Sequence, residues 1–402
     1  MSNYKKNESF TLIELLVVIV IIGVIAGLIT IGVSSFVATS QNTKMVAQLS
    51  SLGTALETYG TYHQGNLCLE DNNNNSNFLS YYGLQTVPSN PSYDGLTAGN
   101  QTITGTNNCL LYFSDGQNYS IRTPAPGNKG YLIQESRYMK TQDIKTSCES
   151  GWIPFGNRCI MQYEAKAKSG SSIITCPATG CSTSSHTAVS QADGIPWRYV
   201  TQDEAKEACQ NIGAHLMTNA EWMALARDIA DVDSNWIGGK GVGYLKTGNT
   251  GEDTSGAYNS ALDPDYGTSR NEKAKLILSN GEEIWDLSGN MWEWVDETKQ
   301  TSELPNYSST WREFNAINYT SNLPYSEVGP ANRALTSVNR VGQIYTDNNN
   351  AYCSSTGTDC SPTHAFRRGG YWDYTSYAGV FALILDTSPE NRNYNVGFRC
   401  AR

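Results

Sequence analysis

Thiols and imidazoles have the widest chemical reach of any side chains, and this chain carries ten of the first and four of the second. A catalytic or metal site built from them needs close spacing, or a base beside a nucleophile. Cys68, Cys109, Cys148, Cys159, Cys176, Cys181, Cys209, Cys353, Cys360 and Cys400 include no C-x-x-C step. An even number without that spacing reads as disulfides made in an oxidising compartment, not as a zinc or dithiol centre. His63, His186, His215 and His364 are scattered with no H-x-x-x-H step, so they read as ordinary core or surface residues rather than a triad or metal set. No glycine-rich phosphate loop follows a strand pattern. What remains is the end of the chain, Arg367 to Arg402. There Arg368-Gly369-Gly370, Trp372, Ala378 to Ala382 and Val396 to Arg399 look like framework, while Asp373, Tyr374, Ile384, Asp386, Thr387 and Tyr394 follow no period.

The elements that must position such residues are bounded by composition. With 402 residues, 36 Gly, 24 Tyr and 16% charged residues, the chain suits two or three compact, loop-rich domains. A net charge of −10, with no basic cluster longer than Lys5-Lys6, argues against nucleic-acid binding. Leu12 to Val33 is 22 residues with one charge, Glu14, long enough to cross a bilayer as a helix and too long for a signal-peptide core. Lys5 and Lys6 before it hold the first residues inside and send the rest, with every cysteine, outward. A carboxylate within such a helix marks a functional position.

The run Ser9-Phe10-Thr11-Leu12-Ile13-Glu14-Leu15-Leu16 resembles the type IV prepilin signature. The resemblance implies cleavage by a prepilin peptidase between Ser9 and Phe10, methylation of the new amino group, and pairing of Glu14 with the Phe10 amine of a neighbouring subunit in a filament. It also implies passage through the inner membrane before assembly. From Ser34 to about Tyr62 apolar residues recur at Val37, Met45, Val46, Leu49, Leu52, Leu56 and Tyr59, which continues the helix and lays one face on a small domain. The strand-like runs 109–113, 119–122 and 130–133 supply an antiparallel sheet for it, with Cys68 and Cys109 as its expected staple.

Beyond Cys148 the pattern changes. Thr201-Gln202-Asp203-Glu204 is a capping box opening a helix through Asn211, and Asn219 is expected to cap a second helix from Ala220 to about Ala230. Met161-Gln162-Tyr163-Glu164, Val200 to Ala205, Gly213 to Trp222, Gly289 to Trp294, Arg368-Gly369-Gly370 and Gly397 to Cys400 occur in the order of the formylglycine-generating enzyme family. The resemblance implies a C-type-lectin-like fold from about residue 150 to the end and a disulfide between Cys209 and Cys400. The enzymes carry two copper-binding cysteines, and the matching positions here are Tyr374 and Gly379, so the same resemblance implies the loss of the oxidase chemistry. It further implies a structural calcium ion held by the carboxylates of Asp286 and Glu293 and the carbonyls of Gly289 and Met291, an oxygen set suited to that ion. The alternative on the residues alone is that the two carboxylates cap loops while Trp285, Trp292 and Trp294 fill the core. Cys148 with Cys159, Cys176 with Cys181 and Cys353 with Cys360 are expected to pair locally.

The tail is also similar to the variable segment of diversity-generating-retroelement target proteins, through Arg-Gly-Gly-x-Trp, Ala378-Gly379-Val380-Phe381-Ala382-Leu383 and Asn393-Tyr394-Asn395-Val396-Gly397-Phe398-Arg399. In those systems adenines are miscopied, so asparagine codons become hotspots. Residues reachable from such codons by adenine changes alone occupy 373 to 376, 384, 386, 387 and 393 to 395. Tyrosine and small polar residues on a rigid frame are what adaptable binding surfaces use. The expected binding face is Tyr371, Asp373, Tyr374, Ser376, Ile384, Asp386, Thr387, Asn393, Tyr394 and Asn395.

These readings give an α+β chain: a leader at 1–9, a pilin helix on a small antiparallel sheet at 10–147, and a C-type-lectin-like domain at 148–402. The expected function is a surface filament subunit, partnered by other pilin subunits, that displays a ligand-binding domain for a cell-surface, protein or glycan partner. The alternatives are a formylglycine-generating-type oxidase and a purely structural pilin.

Overall fold

The computed structural model describes residues 145–250, 274–305, 310–320, 322–347 and 362–402, together with short strands before them. The prepilin run with Ser9, Phe10 and Glu14, the apolar segment 12–33 and the helix expected up to residue 62 lie outside the described residues. Among the described residues no helix is long and apolar enough to cross a membrane.

Four early strands, β1 (Gly65–Cys68), β2 (Leu111–Ser114), β3 (Tyr119–Pro124) and β4 (Tyr131–Glu135), pair in sequence order as one antiparallel sheet. Its last strand is buried at every position. An all-buried run is covered on both faces, and the cover comes from beyond the expected boundary near 148. Tyr131 and Ile133 share a core with Trp222, Met223 and Leu225. Asn157 Nδ2 donates to the Ile133 carbonyl at 2.9 Å while the Ile133 N–H donates back to Asn157 Oδ1 at 3.0 Å. Arg122 on β3 forms a buried ion pair with Glu327.

The second region begins with the hairpin β5 (Trp152–Phe155) and β6 (Arg158–Met161), then β7 (Ala165–Ser169), β8 (Ser172–Ile174) and β9 (Thr187–Ser190) in the order β8-β7-β9. Helix α1 (Gln202–Gln210) starts at the expected box: Thr201 Oγ1 accepts from the Glu204 N–H at 3.1 Å and Glu204 Oε2 accepts from the Thr201 N–H at 2.9 Å. Helix α2 (Asn219–Asp231) begins one residue earlier than expected, because Thr218 and Glu221 form a second box. Asn219 is therefore not the cap; its Oδ1 receives Arg368 Nη2 at 2.6 Å. That use is tertiary, and a local sequence pattern does not record it.

The strands that carry the tail are β10 (His215–Leu216), β11 (Trp292–Gln300), β12 (Thr310–Arg312), β13 (Ile344–Thr346), β14 (Thr363–Gly369), β15 (Gly379–Leu385), β16 (Val396–Phe398) and β17 (Cys400–Ala401). Six of them make one sheet in the order β12-β13-β15-β14-β11-β16. β17 returns to a separate sheet in the order β10-β17-β6-β5, so the terminus is fastened beside the start of the region. Cys209–Cys400, Cys148–Cys159 and Cys176–Cys181 are disulfides. The pairings expected for Cys68 with Cys109 and Cys353 with Cys360 lie outside the described side chains.

Period-two alternation along β15 divides its residues between two cores. Phe381, Leu383 and Leu385 join the α2 side with Phe366 and Val295. Ala382 and Ile384 join Trp292, Trp294 and Phe398 on the other. Two arginines brace this frame from within. Arg399 gives both oxygens of Glu293 a partner, at 2.7 and 2.6 Å, and donates to the Met161 and Trp285 carbonyls. Arg368 donates to the Val328, Phe381 and Glu327 carbonyls as well as to Asn219, and burial holds its pKa down to about 9.

Candidate ligand-binding face

The register of the large sheet lays a row of side chains across one of its faces. Trp311 on β12 opposes Tyr345 on β13, Tyr345 opposes Ile384 on β15, Ile384 opposes Arg367 on β14, Arg367 opposes Trp294 on β11, and Trp294 opposes Phe398 on β16. Residues paired in register on one face stand within contact of each other. Over one end of this row folds the loop 371–378. Gly369 and Gly370 turn the chain into it with φ of +90° and +87°, a region that costs a residue with a Cβ more than it costs glycine. At 370 a Cβ would also come within 2.6 Å of the Ala378 Cα. The loop holds its shape through backbone bonds from Tyr374 N–H to Tyr371 O at 2.9 Å and from Trp372 N–H to Asn290 O at 3.1 Å.

The result is a connected set of rings. Trp292 stacks on Trp311 with centroids 6.2 Å apart and planes 6° off parallel, and Trp311 stacks on Tyr377 at 4.9 Å and 18°. Tyr374 meets Trp292, Trp311 and Tyr377 edge-on, lies 4.4 Å from Tyr371, and Tyr371 meets Trp372 at 5.3 Å. Trp372 in turn meets Tyr394 at 5.7 Å, and Tyr345 reaches Trp311 at 5.3 Å. Burial lifts the Tyr374 hydroxyl to about 12; Arg367 opposes that rise, and Asp386, Tyr345 and Asp373 add to it. Burial likewise raises Tyr371, with Tyr374, Tyr394 and Asp373 adding.

A second loop, 386–395, closes the other side. Arg392 grips Glu204 of α1 with both ends of its guanidinium, Gln202 N–H bonds Pro389 O at 2.9 Å, Tyr199 N–H bonds Asn393 O at 3.0 Å, and Trp292 N–H bonds Asn395 O at 2.9 Å. Asp386 pairs with Arg367, whose guanidinium lies over the Trp294 ring.

The ten expected face residues fall into two tiers. Asp373 and Tyr394 are exposed, and Tyr374, Ser376, Asp386 and Asn393 are half-buried. Tyr371, Ile384, Thr387 and Asn395 retain only 5–8% exposure, because Ile384 is mid-row beneath the rings and the other three line the loop bases. Trp311, Tyr345 and Tyr377 belong to the same array and were missed by sequence reasoning. Trp311 and Tyr345 sit on three-residue strands too short to show alternation, and Tyr377 touches the framework run. The residue type of Tyr377, the same as at 374 and 394, is the one signal that points to it.

The loop 286–293 lies beneath this array. Asp286 and Glu293 are fully buried, and Asp286 and Asn290 have φ of +62° and +64°. Both Glu293 oxygens are engaged by Arg399, and Glu164 accepts from the Met291 N–H and from the Asn290 side chain. Calcium fits poorly at Glu293, since a dication there would have to displace a buried guanidinium of like charge. Among the described residues no cluster of three His, Cys, Asp or Glu is placed to hold a metal. The positions matched to copper-binding cysteines hold a half-buried tyrosine, Tyr374, and a glycine, Gly379, whose missing Cβ would overlap the Val341 carbonyl and the Gly342 nitrogen.

The family described as Sulfatase-modifying factor enzyme 1-like domain matches residues 136–402. The prokaryotic N-terminal methylation motif matches residues 4–30. No curated protein matches the chain. Among solved structures, the U1 and P3c variants of Major Tropism Determinant each align at 16% identity over 74% of this chain, with TM-scores of 0.32 and 0.31. The chain spans 65% of the length of each, and at such scores the likeness does not bear on function.

Proposed function

The chain belongs to the Sulfatase-modifying factor enzyme 1-like domain family, and from that premise we propose that its domain is a ligand-binding head, not an oxidase, displayed on a type IV pilin-like filament at the cell surface. The observation that carries the proposal is a segregation within the tail. Arg368, Ala378, Val380, Phe381, Ala382, Val396, Phe398 and Arg399 have no exposed surface, while Asp373, Tyr374, Thr375, Ser376, Asn393 and Tyr394 are exposed or half-exposed around one set of rings. A frame of this kind holds its geometry while the outer residues change. That division suits the adenine-directed variation which the tail's likeness to diversity-generating-retroelement targets implies.

The non-enzymatic part of the proposal is supported by the thiols. Every cysteine whose side chain is described is in a disulfide, and positions 374 and 379 offer no thiol. The filament part rests on the methylation motif, with cleavage after Ser9, methylation of Phe10, and Glu14 pairing with a neighbour's amine in place of lost solvation. Other pilin subunits, a prepilin peptidase and the inner membrane are the partners this requires. The test is attachment of cells carrying the filament to the surfaces they colonise. Tyr374→Ala and Trp311→Ala are expected to abolish attachment while filaments still assemble; unchanged attachment contradicts the proposal.

A further inference from the structure

We propose, resting on the ligand-binding reading above, that the face in this copy of the chain takes an arginine side chain presented by a peptide segment of its partner.

The ring ladder gives the first reason. Trp292, Trp311 and Tyr377 form near-parallel layers that run from 1% exposed at Trp292, through half-buried Trp311, to 36% at Tyr377. The outermost layer, Tyr377, is exposed, so a further layer of the stack would come from outside. A flat group suits that position, and a flat cation gains the attraction of the ring quadrupole as well.

Charge gives the second. Asp373 is exposed and enters no ion pair among the described residues. The cations that border the face are already committed. Arg367 pairs with Asp386, Arg392 pairs with Glu204, and alternation along β12 sends Arg312 to the side opposite Trp311. The face therefore carries one uncompensated negative charge beside its rings, on a chain of net charge −10. Asp373 and Asp386 both act electrostatically on Tyr374, which places them beside the ladder.

A guanidinium combines both properties: it is planar and positively charged. A neutral sugar ring would stack on Tyr377 but would leave the Asp373 charge unanswered, and an anion would be repelled by it.

The experiment titrates the detergent-solubilised full-length chain with the peptide acetyl-Gly-Arg-Gly-amide and with its citrulline counterpart, which keeps shape and loses charge, following tryptophan fluorescence. The expected result is saturable binding of the arginine peptide, about tenfold tighter than the citrulline peptide, and weakened about fivefold by Asp373→Asn and by Tyr377→Ser, both at exposed positions. Citrulline binding within twofold, no saturation, or indifference to both substitutions overturns the inference. If Tyr374→Ala abolishes cell attachment while arginine shows no preference, only this inference fails. If attachment is also unchanged, the ligand-binding reading falls with it.

Discussion

Two polar regions of this molecule use their side chains in opposite ways. At the joint between β4 and α2, Arg158 Nε reaches Glu221 at 2.7 Å, His215 Nε2 reaches the same carboxylate at 2.9 Å, and Thr218 Oγ1 donates to Glu135 Oε2 at 3.1 Å. Around the rings of the tail, Asp373 meets no cation among the described residues, and Asn395 Oδ1 and Thr387 Oγ1 meet no hydrogen-bond partner there. The first region keeps its carboxylates and cations against one another in the interior, with Arg158 Nη2 3.9 Å from Glu135, and fixes one arrangement of two sheets. The second presents Asp373, Tyr377 and Tyr394 to solvent from a buried frame. A buried charge pair holds the fold together, whereas an exposed charge without a partner leaves room for one from outside.

This contrast can be broken or sharpened by substitution. The largest effect is expected inside the frame: Arg399→Ala strands the buried Glu293 carboxylate and should cost about 3–5 kcal/mol in chemical denaturation. A cost near zero would mean that the frame is not braced as described.

Next comes the joint. Burial first, with Glu221 adding and Arg158 opposing, raises Glu135 from its usual range to about 7. Burial also works against Glu221, but His215 and Arg158 outweigh it and hold that group down to about 2. A carboxyl whose folded pKa is raised keeps its proton in the folded state after the unfolded chain has lost it. The contribution of Glu135 is therefore complete below about pH 4.5 and is lost as pH rises through 7, by about 1–3 kcal/mol. Glu135→Gln should flatten that decline relative to the parent chain when urea midpoints are followed from pH 4.5 to 8. Parallel curves would place the proton elsewhere.

On the face, Asp373→Ala should change stability by no more than about 0.5 kcal/mol, in contrast to Arg399→Ala. A cost like that of a frame residue would erase the distinction between the regions. Smallest of all, removing calcium with a chelator should shift the melting temperature by about 1 °C or less, since an ion that binds the folded state raises stability only where it binds. A shift of several degrees would show that Glu293 leaves Arg399 for a cation.

Much of the frame was legible in the residues. The capping box at Thr201 and Glu204, the framework runs of the tail and the strands near 111–135 all rest on local spacing, which a sequence records. The cap of α2 was misplaced by one residue because Asn219 and Thr218 are both good caps, and only the tertiary use of Asn219 by Arg368 decides between them. The joint was invisible for a similar reason. Nothing local in Tyr131 to Glu135 says that α2 will cover it, so a boundary drawn from composition at 148 cuts through a shared core. The proposed face was half legible: the irregular tail residues marked themselves by type, but Trp311 and Tyr345 arrive through strand pairing across the sheet, and no short pattern announces them.

The central claim is that a fixed frame carries a face which is free to change. Sequencing the segment that encodes 365–402 across one population of cells tests it most directly. The account predicts variation confined to asparagine-derived codons at positions such as 373, 374, 376, 386, 393 and 394, with 368, 378, 380 to 382 and 396 to 400 constant. Uniform codons across the face, or variation spread equally through the frame, would contradict it.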